Sequence, residues 1–194
     1  MLSSNITFGP LADWLPVAAP SAFDKADFFN MREDGKYQFR IVQPAPHIFA
    51  VHWGTDAKGQ ARRINCAGPE CPLCADGSPA QTRYMIAVLN RVNDRIQLLE
   101  FGRQVYNQIV NLSQDSDWGN PQLYDLKIDR DRSRGISAMY VVTAQPRNIG
   151  SLKDSEAIAV EEFFARVDMN RFTRPSTIQE IREKLGDLGG LMQM

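Results

Sequence analysis

The chain has 194 residues, 43% of them hydrophobic, and a net charge of −1, enough for one domain with extensions or two small domains. That charge argues against a wholly basic nucleic-acid binder, and no stretch approaches the ~20 apolar residues that span a bilayer. Because the first residues lack the basic and then apolar pattern of a secretory signal, we expect an intracellular protein with no membrane partner.

The charge is unevenly distributed along the chain. Residues 1–30 carry three acids and one base, and residues 151–194 carry eight acids and six bases, so each end has a net charge of −2. The segment between them carries fifteen bases and twelve acids, a net charge of +3. A mildly basic centre therefore lies between mildly acidic ends.

The first half of the chain predicts an irregular arm followed by three strands. Prolines interrupt the first 27 residues or so, and a short helix is predicted near residues 23–29. From Gly35, apolar residues alternate with polar ones up to Ile41, which predicts a half-buried strand. Two further strands, over 48–53 and about 60–65, flank a turn and lead into Cys66.

All three cysteines lie together, at Cys66, Cys71 and Cys74. A CxxC pair holds two thiolates on one tight turn, and three thiolates with one imidazole make a closed tetrahedral zinc site, which is structural. We favour His52 over His47 as the fourth ligand because His52 ends an apolar run. The alternative is three free thiols packed as small hydrophobes or kept reduced; disulfides fit an odd number of cysteines poorly.

The second half predicts two hairpins, one helix between them and two helices in the tail. Residues 84–92 and 96–101 form the first hairpin, and residues 123–129 and 136–144 form the second. Between them, Val105, Ile109 and Leu112 have helical spacing. Residues 155–166 and 178–188 predict the tail helices, the second with a capping signal before it.

These elements predict a mostly β fold with helical additions. The best match is an OB-fold, a five-stranded Greek-key barrel, with an inserted zinc-binding subdomain and C-terminal helices. The predicted divisions are an N-terminal arm (1–30), the core (31–150, with the zinc subdomain at about 47–82) and a C-terminal helical extension (151–194). A small zinc-stapled sandwich is the competing architecture.

The residue set favours binding over catalysis. The chain has no nucleophile elbow and no phosphate-cradling glycine loop, so we expect no enzyme activity. Asp129 and Asp131 flank a basic hairpin tip and are interpreted as a solvated turn. Single-stranded nucleic acid needs cations that follow the phosphates and exposed aromatic faces that stack on bases, and the chain offers both.

The candidate contacts for nucleic acid lie on strands or at their edges, and each aromatic among them is also explained by packing. The first candidate is the Arg83–Tyr84 pair beside the zinc motif; the second is Trp53, which the metal would position through His52. The tip of the second hairpin carries three arginines, Arg130, Arg132 and Arg134. They are weaker candidates because they alternate with Asp131. The remaining cations are Arg40, Arg62, Arg63, Arg91, Arg95 and Lys127, and the remaining aromatics are Tyr106, Tyr124 and Tyr140.

Several stretches resemble one protein family in order and approximate spacing over residues 35–145. They are residues 49–52, the approach to Cys66, residues 71–74, and residues 101–109, which open a helix after a hairpin. The chain thus resembles the zinc-containing single-stranded DNA-binding (helix-destabilising) proteins of T-even-type tailed phages. The resemblance implies an OB-fold core with a zinc subdomain, a cleft between them for single-stranded DNA, and a role in phage replication, recombination and repair in the bacterial host cytoplasm. It also favours His52 as the ligand.

The two ends of the chain depart from that family. The family has a basic N-terminal arm and a strongly acidic tail that recruits partners, whereas residues 1–30 are net negative here and the tail is mixed in charge.

We expect a sequence-independent single-stranded DNA-binding protein. The alternative is a zinc-stabilised adaptor that docks onto a replication, recombination or transcription protein through residues 170–194. A metal-dependent nuclease is a distant third, because the site has no open metal position.

Overall fold

The computed structural model describes residues 27–146 and 149–186, so nearly all of the predicted N-terminal arm lies outside the described residues. This part contains seven strands: β1 (Gly35–Ile41), β2 (His47–Thr55), β3 (Ala61–Asn65), β4 (Gln81–Asn90), β5 (Arg95–Gly102), β6 (Asp125–Arg130) and β7 (Tyr140–Gln145). It also contains five helices: α1 (Pro72–Ala75), α2 (Arg103–Gln114), α3 (Asp154–Arg166), α4 (Asn170–Thr173) and α5 (Ile178–Leu185). The mostly β prediction with a few helices is confirmed.

All strand pairings are antiparallel, and β4 is the strand with the most neighbours. Along one edge, β4 pairs with β5 over its length. Along the other edge, the first half of β4 pairs with β2 and the second half pairs with β1. The β2–β3 hairpin therefore diverges from β1 at this point, and β1 continues to β6 and then β7.

The sheet is open, so the predicted closed five-stranded barrel is not formed by these pairings. Strands β5, β4, β1, β6 and β7 surround one apolar cluster, but β5 and β7 do not pair within the described residues. Helix α2 lies over the gap, with Val105 and Ile109 buried in the cluster. Gln108 Nε2 donates to the Tyr140 carbonyl at 2.9 Å and Gln108 Oε1 accepts from the Val142 amide at 2.8 Å, so a side chain satisfies the edge of β7.

The opposite face of the sheet is covered by the C-terminal extension. Phe163, Val167 and Met169, in and after α3, are buried against Val51 and Leu98. Within the described residues, no helix is both long and apolar enough to span a membrane.

Candidate metal centre and nucleic-acid groove

The four predicted metal ligands come from the β2–β3 hairpin and the short turn that follows it. His52 lies on β2, opposite Ile64 of β3, and Cys66 comes directly after β3. Cys71 is the N-cap of α1 and Cys74 lies one turn later. The turn between them is helical because Pro72, at the first position of α1, suits a first helical turn. Strand pairing and the CxxC turn together bring the four side chains to one point.

The ligand atoms of His52, Cys66, Cys71 and Cys74 all lie within 4.8 Å of one another. The Cys66 and Cys74 sulfurs are 3.6 Å apart, and His52 Nε2 lies 3.5 Å from Cys71 Sγ and 3.4 Å from Cys74 Sγ. The three cysteines form no disulfide. His47 lies elsewhere, beside the segment between α3 and α4. The cluster could therefore hold a metal ion, with His52 as the imidazole.

The electrostatics of this cluster favour a bound cation. Burial lowers the pKa of His52, which keeps the ring neutral and able to ligate, and the main chain of Ser78 partly opposes this. A hydrogen bond with the Cys66 side chain raises the pKa of Cys74 to about 11, and burial and the charges of the neighbouring sulfurs act in the same direction. Burial opposes ionisation of Cys71, but nearby main-chain amides outweigh it and lower its pKa. A metal ion would supply the missing positive charge.

Helix α5 packs directly on the metal cluster, a contact that the sequence analysis missed. Ile181 is fully buried against Ile64, Cys71 and Leu73. Leu185 lies so close to β2 that a Cβ added at Gly54 would be 2.8 Å from its Cδ2 atom. The capping signal before residues 178–188 predicted a helix but did not identify the surface that the helix covers.

The start of α5 is fixed by a capping box and an ion pair. The Glu180 amide donates to Thr177 Oγ1, and the Thr177 amide donates to the Glu180 carboxylate. The Arg174 guanidinium hydrogen-bonds Glu180 and lowers the pKa of that carboxyl to about 2. Asn65, at the end of β3, donates to the Phe172 and Arg174 carbonyls at 2.7 and 2.9 Å. The end of the described chain is thus tied to the hairpin.

A cavity of about 830 Å³, here called the hairpin groove, lies between the β2–β3 hairpin and the end of α5. Trp53, the residue after the predicted ligand His52, lines this groove and is 53% exposed. The groove has an excess of positive charge: the cations are Arg32, Lys58, Arg62, Arg63 and Lys184, and the acids are Asp56 and Glu183. Of the predicted nucleic-acid contacts, the structure brings together Trp53, Arg62 and Arg63 here.

A second cavity of about 260 Å³, here called the helix pocket, lies where β5 leads into α2. Two predicted contacts, Arg83 and Tyr140, line it together with Glu100 and Arg103. Sequence reasoning missed Arg32, Lys58, Arg103 and Lys184, which lie on turns or helices rather than strands. Their only available signal was their positive charge.

Two of the predicted arginine contacts, Arg40 and Arg91, take part in an internal ion-pair network instead of lining either cavity. Arg40 is 2% exposed, and its Nε donates to Asp125 Oδ1 at 2.8 Å. Arg91 Nε lies 3.0 Å from the same carboxylate, and Arg91 also pairs with Glu156 of α3. The sequence pattern could not distinguish an arginine that faces a buried acid from one that faces solvent.

The predicted stacking role of Tyr84 is also wrong. Tyr84 is 5% exposed and lies inside the core, where its ring stacks on Tyr106 with centroids 4.0 Å apart. Tyr106 therefore has one face covered, and Tyr124 is buried with its hydroxyl donating to the Gly119 carbonyl. Of the paired candidates Arg83 and Tyr84, only Arg83 reaches a cavity, since neighbours on a strand point to opposite faces.

The remaining candidates lie away from both cavities or are already paired. Arg95 lies beside α3, and Lys127 is half-buried on β6. At the hairpin tip, Arg130 pairs with Asp34 at 2.8 Å and lies over the Tyr140 ring, and Arg134 pairs with Asp129 at 3.1 Å. The tip is thus a network of ion pairs in which Arg130 is buried and Arg134 is half-exposed.

Comparison with known proteins gives no match, either to a family model or to a curated protein sequence. The function is therefore inferred from the geometry and chemistry of the hairpin groove and the metal cluster.

Proposed function

We propose that this chain is a sequence-independent single-stranded DNA-binding protein that protects and organises DNA in phage replication, recombination and repair. The observation that carries the proposal is the hairpin groove, in which the exposed Trp53 lies among five cations beside the metal cluster. Cations that follow phosphates and an aromatic face that stacks on a base are the two requirements of such binding.

We propose Zn²⁺ as the ion of the cluster. Three thiolates and one imidazole form a soft donor set that suits zinc. With Zn–S of about 2.3 Å and Zn–N of about 2.0 Å, tetrahedral ligands have S–S and S–N separations of about 3.8 and 3.5 Å. Three of the separations here match: 3.6 Å between the Cys66 and Cys74 sulfurs, and 3.5 and 3.4 Å from His52 Nε2 to the Cys71 and Cys74 sulfurs. All four ligand atoms lie within 4.8 Å of one another. Four protein ligands leave no position for water, so the zinc has a structural role.

We further propose that the core is a partly open OB-fold. Its five strands would be β5, β4, β1, β6 and β7, and β2, β3 and α1 would form the zinc subdomain inserted after β1. In this arrangement the hairpin groove and the helix pocket lie at the boundary between the barrel strands and the insertion, where a strand of DNA can contact both.

In this mechanism the groove holds the sugar–phosphate backbone and Trp53 stacks on a base. Binding releases counterions from the phosphates, so log K should fall linearly with log salt at about −0.7 per phosphate contacted. Stacking does not depend on which base is present, which accounts for binding without sequence preference. A duplex hides its base faces, so it should bind more weakly than a single strand.

The direct test measures anisotropy of labelled oligo-dT at two salt concentrations, with Trp53→Ala and a matched pair of charge variants. Loss of one base stack weakens binding by ~1–3 kcal/mol, or about fivefold to 150-fold. Lys184→Ala should also weaken binding, because Lys184 lines the groove. Arg182→Ala removes an equal charge from the same helix outside the groove and should bind normally. Absence of binding by the unmodified protein at micromolar concentration in low salt would refute the proposal.

The adaptor function through residues 170–194 stays a second proposal. The described part of this segment ends at residue 186, and Ile181 and Leu185 of α5 already pack on the hairpin. A docking partner would therefore contact the polar side of α5 or Ile178, which is 39% exposed. A nuclease-resistant pull-down that is lost on deleting residues 170–194 would support it, provided that the deleted protein still binds metal.

A further inference from the structure

Glu100 lies where the hairpin groove and the helix pocket meet, and two arginines share its carboxylate. Arg63 Nη2 lies 2.9 Å from Glu100 Oε2, and Arg83 Nε donates to Glu100 Oε1 at 3.0 Å. Arg63 lines the hairpin groove, whereas Arg83 and Glu100 line the helix pocket. The adjacent residues Met31 and Arg32 also line one cavity each, so the two cavities lie close together at this point.

This trio has more positive charge and more hydrogen-bond donors than Glu100 can satisfy. Two guanidiniums and one carboxylate leave a net charge of +1. Arg63 Nε is buried without any acceptor among the described residues, and the contact of its Nη2 with Glu100 is an ion pair without an aligned hydrogen bond. The Arg63 guanidinium lies 5.1 Å from the centroid of the Phe49 ring, which supports its plane. Arg63 is thus positioned for a second, better aligned acceptor.

All three side chains remain reachable from solvent: Arg63 is 30% exposed, Arg83 27% and Glu100 20%. The Nε and Nη2 atoms of Arg63 are themselves buried, so an anion from the groove would reach them when the Glu100 side chain moves aside, without unfolding of any element. Phosphate oxygens match the planar fork of a guanidinium as well as a carboxylate does. Exchange of one acceptor for another would keep the Arg63 guanidinium paired with an anion throughout.

We propose that Arg63 and Arg83 form a phosphodiester-binding subsite which Glu100 occupies in the free protein. On binding, a backbone phosphate of the DNA strand takes the place of the Glu100 carboxylate on Arg63, while Arg83 retains Glu100 or shares the phosphate. Glu100 thereby lowers the affinity for DNA and holds the two cations in position between binding events. The proposal depends on the proposed single-stranded DNA-binding function.

The test compares Glu100→Gln with the matched control Glu161→Gln in oligo-dT titrations at several salt concentrations. Glu161 is exposed on α3 and lines neither the hairpin groove nor the helix pocket. Glu100→Gln should bind about threefold to tenfold more tightly, as expected when one half-exposed ion pair no longer competes. Its salt slope should steepen by about 0.7, the equivalent of one phosphate contact. Glu161→Gln should change the affinity by less than about twofold.

Equal affinities and slopes for the two variants would overturn the proposal, as would a gain that persists when Arg63→Ala is added to Glu100→Gln. A second measurement needs no variant of Glu100: in the unmodified protein, the arginine Nε–Hε resonances of Arg63 and Arg83 should shift when oligo-dT is added. Binding without any shift would also overturn it. If the unmodified protein binds no oligo-dT, the proposed function fails instead, so the two failures are distinguishable.

Discussion

Asp125 is a buried acid that holds two arginine side chains in place in the core. Its carboxylate is fully buried and accepts from both Arg40 and Arg91. Arg40 also donates to the Gly150 carbonyl at 2.8 Å, so the network joins β1, β6 and the segment before α3. A buried charge of this kind is tolerated only while its partners stay in place.

Replacement of Asp125 by alanine should destabilise the protein by about 3 to 5 kcal/mol, because Arg40 would remain buried without its counter-ion. Urea unfolding followed by circular dichroism measures the loss. Asp129→Ala is the matched control on the same strand: Asp129 pairs with Arg134 where both are partly exposed, and its loss should cost less than about 1 kcal/mol. Similar losses for the two variants would contradict this account of the network.

At the scale of elements, the β2–β3 hairpin, α1 and α5 behave as one unit around the metal cluster. The hairpin supplies His52 and leads to Cys66, α1 supplies the CxxC turn, and α5 covers it with Ile181. Such a small apolar cluster buries few side chains, so metal binding and the packing of α5 should stabilise one another.

Ile181→Ala should destabilise this unit by about 2 to 5 kcal/mol, since it leaves a cavity beside Cys71 and Leu73. It should also weaken metal binding, measured by competition with a chromophoric chelator. Ile178→Ala on the same helix is the control; Ile178 is 39% exposed, and its truncation should cost about 1 kcal/mol or less. If both variants unfold at the same urea concentration and retain metal equally, α5 packing and metal binding do not stabilise one another.

The sequence predicted those features of the fold and the site that are encoded locally. The clustering of the three cysteines predicted the metal cluster, and the position of His52 at the end of an apolar run favoured it as the fourth member. The switch from alternating to helical periodicity located α2. The burial of Tyr84 depends on α2, which places Tyr106 over it, and the burial of Arg40 depends on Asp125, 85 residues away. Such partners are fixed by long-range packing, which periodicity does not report.

The whole molecule is almost neutral, yet the hairpin groove and the helix pocket are lined by more cations than acids. Single-stranded DNA would therefore be attracted by a local field rather than by net charge, and the attraction should be sensitive to salt. The β2–β3 hairpin lines the groove, and the same hairpin supplies His52 of the metal cluster and leads into Cys66. Metal and DNA binding should accordingly be linked.

The most direct test of this account measures zinc content and oligo-dT affinity on the same preparation, before and after chelation. We predict one zinc per chain, and at least about tenfold weaker DNA binding once the zinc is removed. The Cys71→Ser variant should bind weakly with or without chelator. A metal-free protein that remains folded and binds oligo-dT as tightly as the zinc-loaded form would contradict the account.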